Sequence, residues 1–214
     1  MPIPYKTQVI TANPTRDLTV LATVKLELGI TNTDNDDWLQ LKIGQASDAI
    51  AKACNRKFQQ ETVKDFFRVQ WGERGAALLL SRIPVTSIAS VMESTTVLDP
   101  TNYEFDENTG MLWRRFGNLH GEWIGWNWCL TDVVVQYTGG FELLATVPFD
   151  LEQACVLLIK QSWFARTRDP LVKSVSIPGV ASYDYLVGGS ASAAGGFSPE
   201  VAQLIAPYRL HIAL

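Results

Sequence analysis

Apolar positions recur with two different periods along the chain, and the change of period divides it. From residue 36 to about 55, Leu39, Ile43, Ala46, Ile50 and Ala53 alternate steps of four and three, which predicts an amphipathic helix. Asp36 and Asp37 suit the positive end of its dipole, and Gly44, Ala46, Ala49, Ala51 and Ala53 let another helix come close. A second long helix is predicted over residues 148–168. Leu151, Ala154, Cys155, Leu158, Ile159 and Ser162 share one face. Val156, Leu157 and Trp163 fall off that stripe, so this helix is expected to be covered on more than one side. Pro148, Asp150 and Glu152 mark its start and Pro170 its stop. A short helix over 20–28, capped by Thr19 and ended by Gly29, precedes both.

Between the helices the period drops to two. Val63, Phe66, Phe67 and Val69, then residues 77–80, 85–92, 103–106, 111–115 and 133–137, read as strands. ENTG (107–110) is a hairpin turn, and Gly139-Gly140 closes the last strand. Helices, strands and helix in that order predict an α+β fold. Its expected core is an antiparallel helical bundle, with the β lobe inserted and a flexible C-terminal arm that ends in a short helix. The expected division is an extended N-terminal arm (1–17, with Pro2, Pro4 and Pro14), the first part of the helical core (18–60), the inserted β lobe (61–140), the long helix (141–170), and a C-terminal segment (171–214). That last segment is predicted as a long glycine-, serine- and alanine-rich loop followed by a helix that starts at Ser198-Pro199-Glu200.

Composition removes several functions. Hydrophobic residues are 47% and charged residues 19%, a globular balance, and the net charge of −4 lacks the basic excess of a protein that grips nucleic acid by its phosphates. Cys54, Cys129 and Cys155 are odd in number and widely spaced, which fits reduced thiols better than disulfides. Neither they nor His120 and His211 form a zinc pattern, and TNTDNDD (31–37) reads as a helix start rather than a calcium loop. No stretch reads as a signal peptide or a membrane span. Phosphate-binding loops, nucleophile elbows and metalloprotease motifs are absent, so no enzyme, cofactor or metal is expected. His120 in GNLHGEW, with Glu122 nearby, reads as a solvated loop histidine.

One cluster stands out. WRRFGNLHGEWIGWNW (113–128) holds Trp113, Trp123, Trp126 and Trp128 beside Arg114 and Arg115. Cross-strand packing of indoles, a subunit or partner contact, and stacking on a sugar all fit this composition.

Three segments taken together are similar to a known family. Residues 18–58 (LTVLATVKLELGITNTDNDDWLQLKIGQASDAIAKACNRKF), 133–163 (VVVQYTGGFELLATVPFDLEQACVLLIKQSW) and 197–209 (FSPEVAQLIAPYR) resemble, in order and spacing, the head–tail connector (adaptor) proteins of long-tailed double-stranded-DNA bacteriophages. The middle departs from minimal members of that family, which have little between the helices. The resemblance implies a structural, non-enzymatic virion protein made in the bacterial host cytoplasm and located in the neck. It implies a homo-oligomeric ring of roughly twelve copies under the portal protein, which also meets a tail or neck completion protein. DNA passes through such a ring without sequence-specific binding. The family's portal-docking segment corresponds by position to Leu204, Ile205, Tyr208, Arg209, Leu210 and Ile212. Trp113, Arg114, Arg115, Trp123, Trp126 and Trp128 are candidates for the subunit interface. The alternative is a tail-associated or carbohydrate-binding module that uses the tryptophans of 113–128.

Overall fold

A computed structural model describes residues 2–69, 77–115, 125–126, 131–143, 145–166, 174–177, 181–184 and 197–210. They belong to two compact units, and each is built from two separate stretches of chain. Residues 1–15 and 57–143 make a sheet unit, and residues 16–56 and 144–214 a helical unit.

The sheet unit contains β1 (Lys6–Thr11), β2 (Glu61–Val69), β3 (Leu78–Leu79), β4 (Val85–Glu93), β5 (Thr96–Val97), β6 (Tyr103–Phe105), β7 (Met111–Arg114) and β8 (Thr131–Gly139). Five of these form an antiparallel sheet in the order β1-β2-β8-β4-β5, and three form a second in the order β3-β7-β6. Register explains why the first sheet has one dry face. Val63 lies opposite Tyr137, Asp65 opposite Val135 and Phe67 opposite Val133, and Val135 in turn faces Val91. Alternate residues along a strand share a face, so these side chains meet on one side of the sheet. There they pack with Leu78 and Leu112 of the second sheet, and with Leu80 just past β3, in a continuous buried cluster. Two stacked sheets thus share one core.

At the end of β8 the chain runs close against its neighbours. Gly140 has φ +105°, and a Cβ there would collide with the Gln59 carbonyl. Only glycine takes that backbone conformation without strain.

The helical unit contains α1 (Leu21–Leu28), α2 (Asp36–Ala53), α3 (Phe149–Ala165) and α4 (Pro199–Ile205). On α2 the residues Leu39, Ile43, Ala46 and Ile50 are buried, as the stripe demanded. On α3 Leu151, Ala154, Cys155, Val156 and Ile159 are buried, so the coverage extends beyond one stripe. Caps differ in detail from the reading of the sequence. Val20, not Thr19, stands at the start of α1, while the Thr19 hydroxyl donates to Glu152 Oε1 at 3.0 Å. Two further strands, β9 (Ser174–Ile177) and β10 (Ala181–Asp184), pair antiparallel within the stretch expected to be a loop.

The expected fold class needs correction. The described residues form four α-helices of 8, 18, 17 and 7 residues and sheets of five, three and two strands, so the protein is sheet-rich rather than a helical bundle carrying an insertion. The physical reason lies in the sheets' own core. Two faces of period-two apolar residues cover each other and need no helix beneath them. The N-terminal stretch adds to that sheet, because β1 pairs with β2 of the same chain through Lys6–Phe66 to Thr11–Thr62.

Candidate interaction surfaces

The sheet unit's main buried polar group is a carboxylate, and its surroundings leave it no chemistry to perform. Asp65 is fully buried on β2. Its Oδ1 accepts from the Thr7 hydroxyl at 2.6 Å and the Ser81 hydroxyl at 2.9 Å. Its Oδ2 accepts from the Ser81 N–H at 2.8 Å and the Tyr137 hydroxyl at 2.7 Å. The Tyr137 oxygen accepts in turn from the Arg82 N–H at 2.8 Å. Burial first, and the neighbouring Asp65 second, push the Tyr137 hydroxyl well above its ordinary range, so it remains a donor. Beside it Arg82 Nε donates to Glu61 Oε2 at 2.9 Å, with both side chains buried. Every acceptor of Asp65 is occupied by a donor from β1, β8 or the segment before β4. This is a fastener between strands, not an acid or base with a vacancy for substrate.

Thiols fare the same way. Cys155 is pushed up to about 12 by burial, against a smaller opposite effect of its Ser47 contact, and Cys54 is also raised by burial. Neither is a thiolate near neutrality. Cys129, His120, Glu122 and His211 lie outside the described residues. Among the described residues no group of histidine, cysteine and carboxylate side chains has the makings of a metal site, and no helix is long and apolar enough to cross a membrane.

The tryptophan cluster is divided by the structure. Trp126 is 2% exposed and packs in the shared core of the two sheets, so it offers no face to a partner. Trp113 is half-buried on β7, on the face away from that core. Arg114 bonds Glu93 Oε2 at 3.3 Å and donates to the Asn102 carbonyl at 2.7 Å. Arg115 pairs with Glu104 at 2.8 Å. Trp123 and Trp128 lie outside the described residues.

The C-terminal candidates divide too. Ser198 caps α4 by accepting from the Val201 N–H, Pro199 fills the first helical position and Glu200 the first turn, as the local sequence dictates. Val201 and Ile205 are fully buried, and the Ile205 carbonyl lies 3.8 Å from the Cys54 thiol. Ile205 is therefore core rather than docking surface. Beyond the helix the Leu210 N–H donates to the Cys54 carbonyl at 3.0 Å, which ties the tail to the end of α2. Leu204, Tyr208, Arg209 and Leu210 stay half-buried along this seam, and Ile212 lies outside the described residues. Burial, then the Asp150 carboxylate, raises the Tyr208 hydroxyl above its usual range.

A third surface was not singled out by the sequence. Arg166, just past α3, stacks its guanidinium 4.6 Å from the Trp163 ring and 5.2 Å from the Trp38 ring. The two indoles meet edge to face at 5.6 Å, and Arg166 also donates to Asn35 Oδ1 at 2.9 Å. Three residues from α2 and the end of α3 converge here beside Phe164, which is 71% exposed. Separations of well over a hundred residues hide such a cluster from any local pattern.

The head completion protein family matches residues 17–210 of this chain. The chain belongs to that family. Membership bears out the resemblance of its helical segments to the connectors of phage heads and tails, and makes this head completion protein a structural component of virion assembly. Its fold recurs in solved particles. A chain in the neck of an empty GTA particle computed with C6 symmetry matches with a TM-score of 0.58 at 18% identity, over 98% of this chain and 97% of that one. A chain in the virion of a native gene transfer agent particle gives 0.55 at 17% identity, over 97% of both. A third, in the neck of a native GTA particle computed with C12 symmetry, gives 0.50 at 15% identity, over 98% of this chain and 97% of that one. No curated protein sequence matches the chain.

Proposed function

We propose that this head completion protein acts in the virion neck as a connector, assembled as a ring between portal and tail through which DNA passes. The match to the head completion family over nearly the whole chain carries the proposal. The likeness in fold to chains from necks computed with sixfold and twelvefold symmetry supports a cyclic assembly. A net charge of −4 suits a passage that must not hold DNA. The half-buried seam of Leu204, Tyr208, Arg209 and Leu210 is the part of the tail left for the portal once Ile205 is assigned to the core.

Light scattering and imaging of the purified protein, alone and with its portal, test this. Rings of about a dozen copies, or such rings formed on the portal, are the expected result. Exchange of Tyr208 and Leu210 for aspartate should abolish portal binding while the protein stays folded. A protein that neither closes into rings nor binds the portal in either setting overturns the proposal.

A further inference from the structure

The sheet unit is polarised by charge, and the polarity has a direction. The core face of the five-stranded sheet is dry, so the other set of alternate residues forms an open face: Lys6 on β1, Lys64, Phe66 and Arg68 on β2, and Asp132, Val134 and Gln136 on β8. Three cations stand there against one acid. Two are stacked on rings, with Lys6 Nζ 5.2 Å from the Phe66 centroid and the Arg68 guanidinium 5.3 Å from that of Tyr5. Tyr5 is itself 56% exposed. Lys6 and Lys64 have no ion pair among the described residues. Such aromatic and basic composition is that of an interface centre.

The acids gather on the second sheet, which lies across the shared core from that face. Tyr103 and Phe105 pack toward the core, so Glu104 between them points away from it. Asp99 precedes β6, and Asp106 and Glu107 follow it. Backbone N–H groups of Asn108 and Thr109 hold the Asp106 carboxyl below its ordinary range, and that of Thr101 does the same for Asp99. Only Glu104 has a cation partner among the described residues.

Opposite charges on opposite sides of one unit favour head-to-tail contact between copies, the heterologous kind that closes into a ring. We infer that the basic open sheet face of one copy docks on the acidic β6 side of the next. This rests on the ring reading and names the contact that would build it. A duplex DNA occupant of the same face is the competing outcome, since phosphates also seek lysines.

Two charge-reversed variants of the full chain test the contact, Lys6→Glu with Lys64→Glu and Glu104→Lys with Glu107→Lys. All four positions are exposed or half-buried, and circular dichroism checks that each variant is folded. At low salt each variant alone should sediment as monomer where the parent associates. Mixed one to one, they should recover assemblies of the parent's size, because one variant is acidic on both surfaces and the other basic on both, so every contact between unlike copies is again complementary. Parent-sized assemblies in both variants overturn the contact while leaving the ring reading intact. Association of the parent into open chains or dimers, lost in the variants, keeps the contact and removes the closed ring. A parent that stays monomeric at low salt overturns the contact. So does parent association that persists in the Lys6 and Lys64 variant while its binding to duplex DNA is lost, which gives the face to DNA.

Discussion

The two units bury their polar groups and leave their apolar groups uncovered to different degrees. In the sheet unit a single cluster runs from Val63 to Tyr137, and its buried carboxylate is satisfied on all sides. In the helical unit the core is a seam of small and medium side chains, while Leu26, Phe149 and Phe164 stand 82%, 86% and 71% exposed. A unit that leaves large apolar side chains in water is suited to being covered on assembly. The difference points to two kinds of surface, a charged and aromatic one on the sheet unit and an apolar one on the helical unit.

Four experiments would break or sharpen that contrast. The largest effect should come from Asp65→Ala, which leaves four donors without their acceptor, the buried Tyr137 hydroxyl among them. A loss of about 3–5 kcal/mol is expected in denaturant unfolding, and a loss under 1 kcal/mol would mean that the network does not fasten the strands. Next is Ile205→Ala, expected to cost about 2–4 kcal/mol if α4 belongs to the core of the helical unit. Unchanged stability with lost portal binding would return this residue to the docking surface. The third is a pH effect carried in the helical unit by one buried thiol. Burial pushes the Cys155 thiol up from its ordinary 9.0 to about 12, so the folded state holds the proton more tightly. Its contribution is complete below pH 9 and is lost as pH rises toward 12, at about 1.4 kcal/mol per pH unit. Cys155→Ala should flatten that slope. Smallest is Phe149→Ser, expected to shift stability by no more than about 0.5 kcal/mol while weakening assembly. Equal assembly in the variant would show that this exposed ring is not a contact.

Local features were legible because local physics makes them. The stripe on α2, the broad coverage of α3, the Ser198-Pro199 start of α4 and the turn closed by Gly110 all follow from residues within a few positions of each other. What stayed hidden depends on distance along the chain. Asp65 reads as an ordinary strand carboxylate until Tyr137, 72 residues later, lies opposite its neighbours and donates to it. The run 113–128 fits indole packing and partner contact alike, and only the fold shows that Trp126 fills the core. The prolines at 2, 4 and 14 argue for an extended arm, and the six residues of β1 between them hold no proline, so that extended stretch is able to pair with β2. Helices announce themselves, whereas the partner of a strand does not. That asymmetry is why the bundle was overrated and the sheets underrated.

The interleaving of the two units also sets an order of birth. The sheet unit needs nothing beyond residue 143, whereas the helical unit waits for Val201 and Ile205 to fill its core. During synthesis the first can fold while the second still lacks its last helix. The intervening stretch takes on the order of 3–12 s to emerge at about 5–20 residues per second. Once α3 has joined α1 and α2, the seat of Val201 and Ile205 stays open until α4 emerges, a window in which newborn copies are most exposed to premature association.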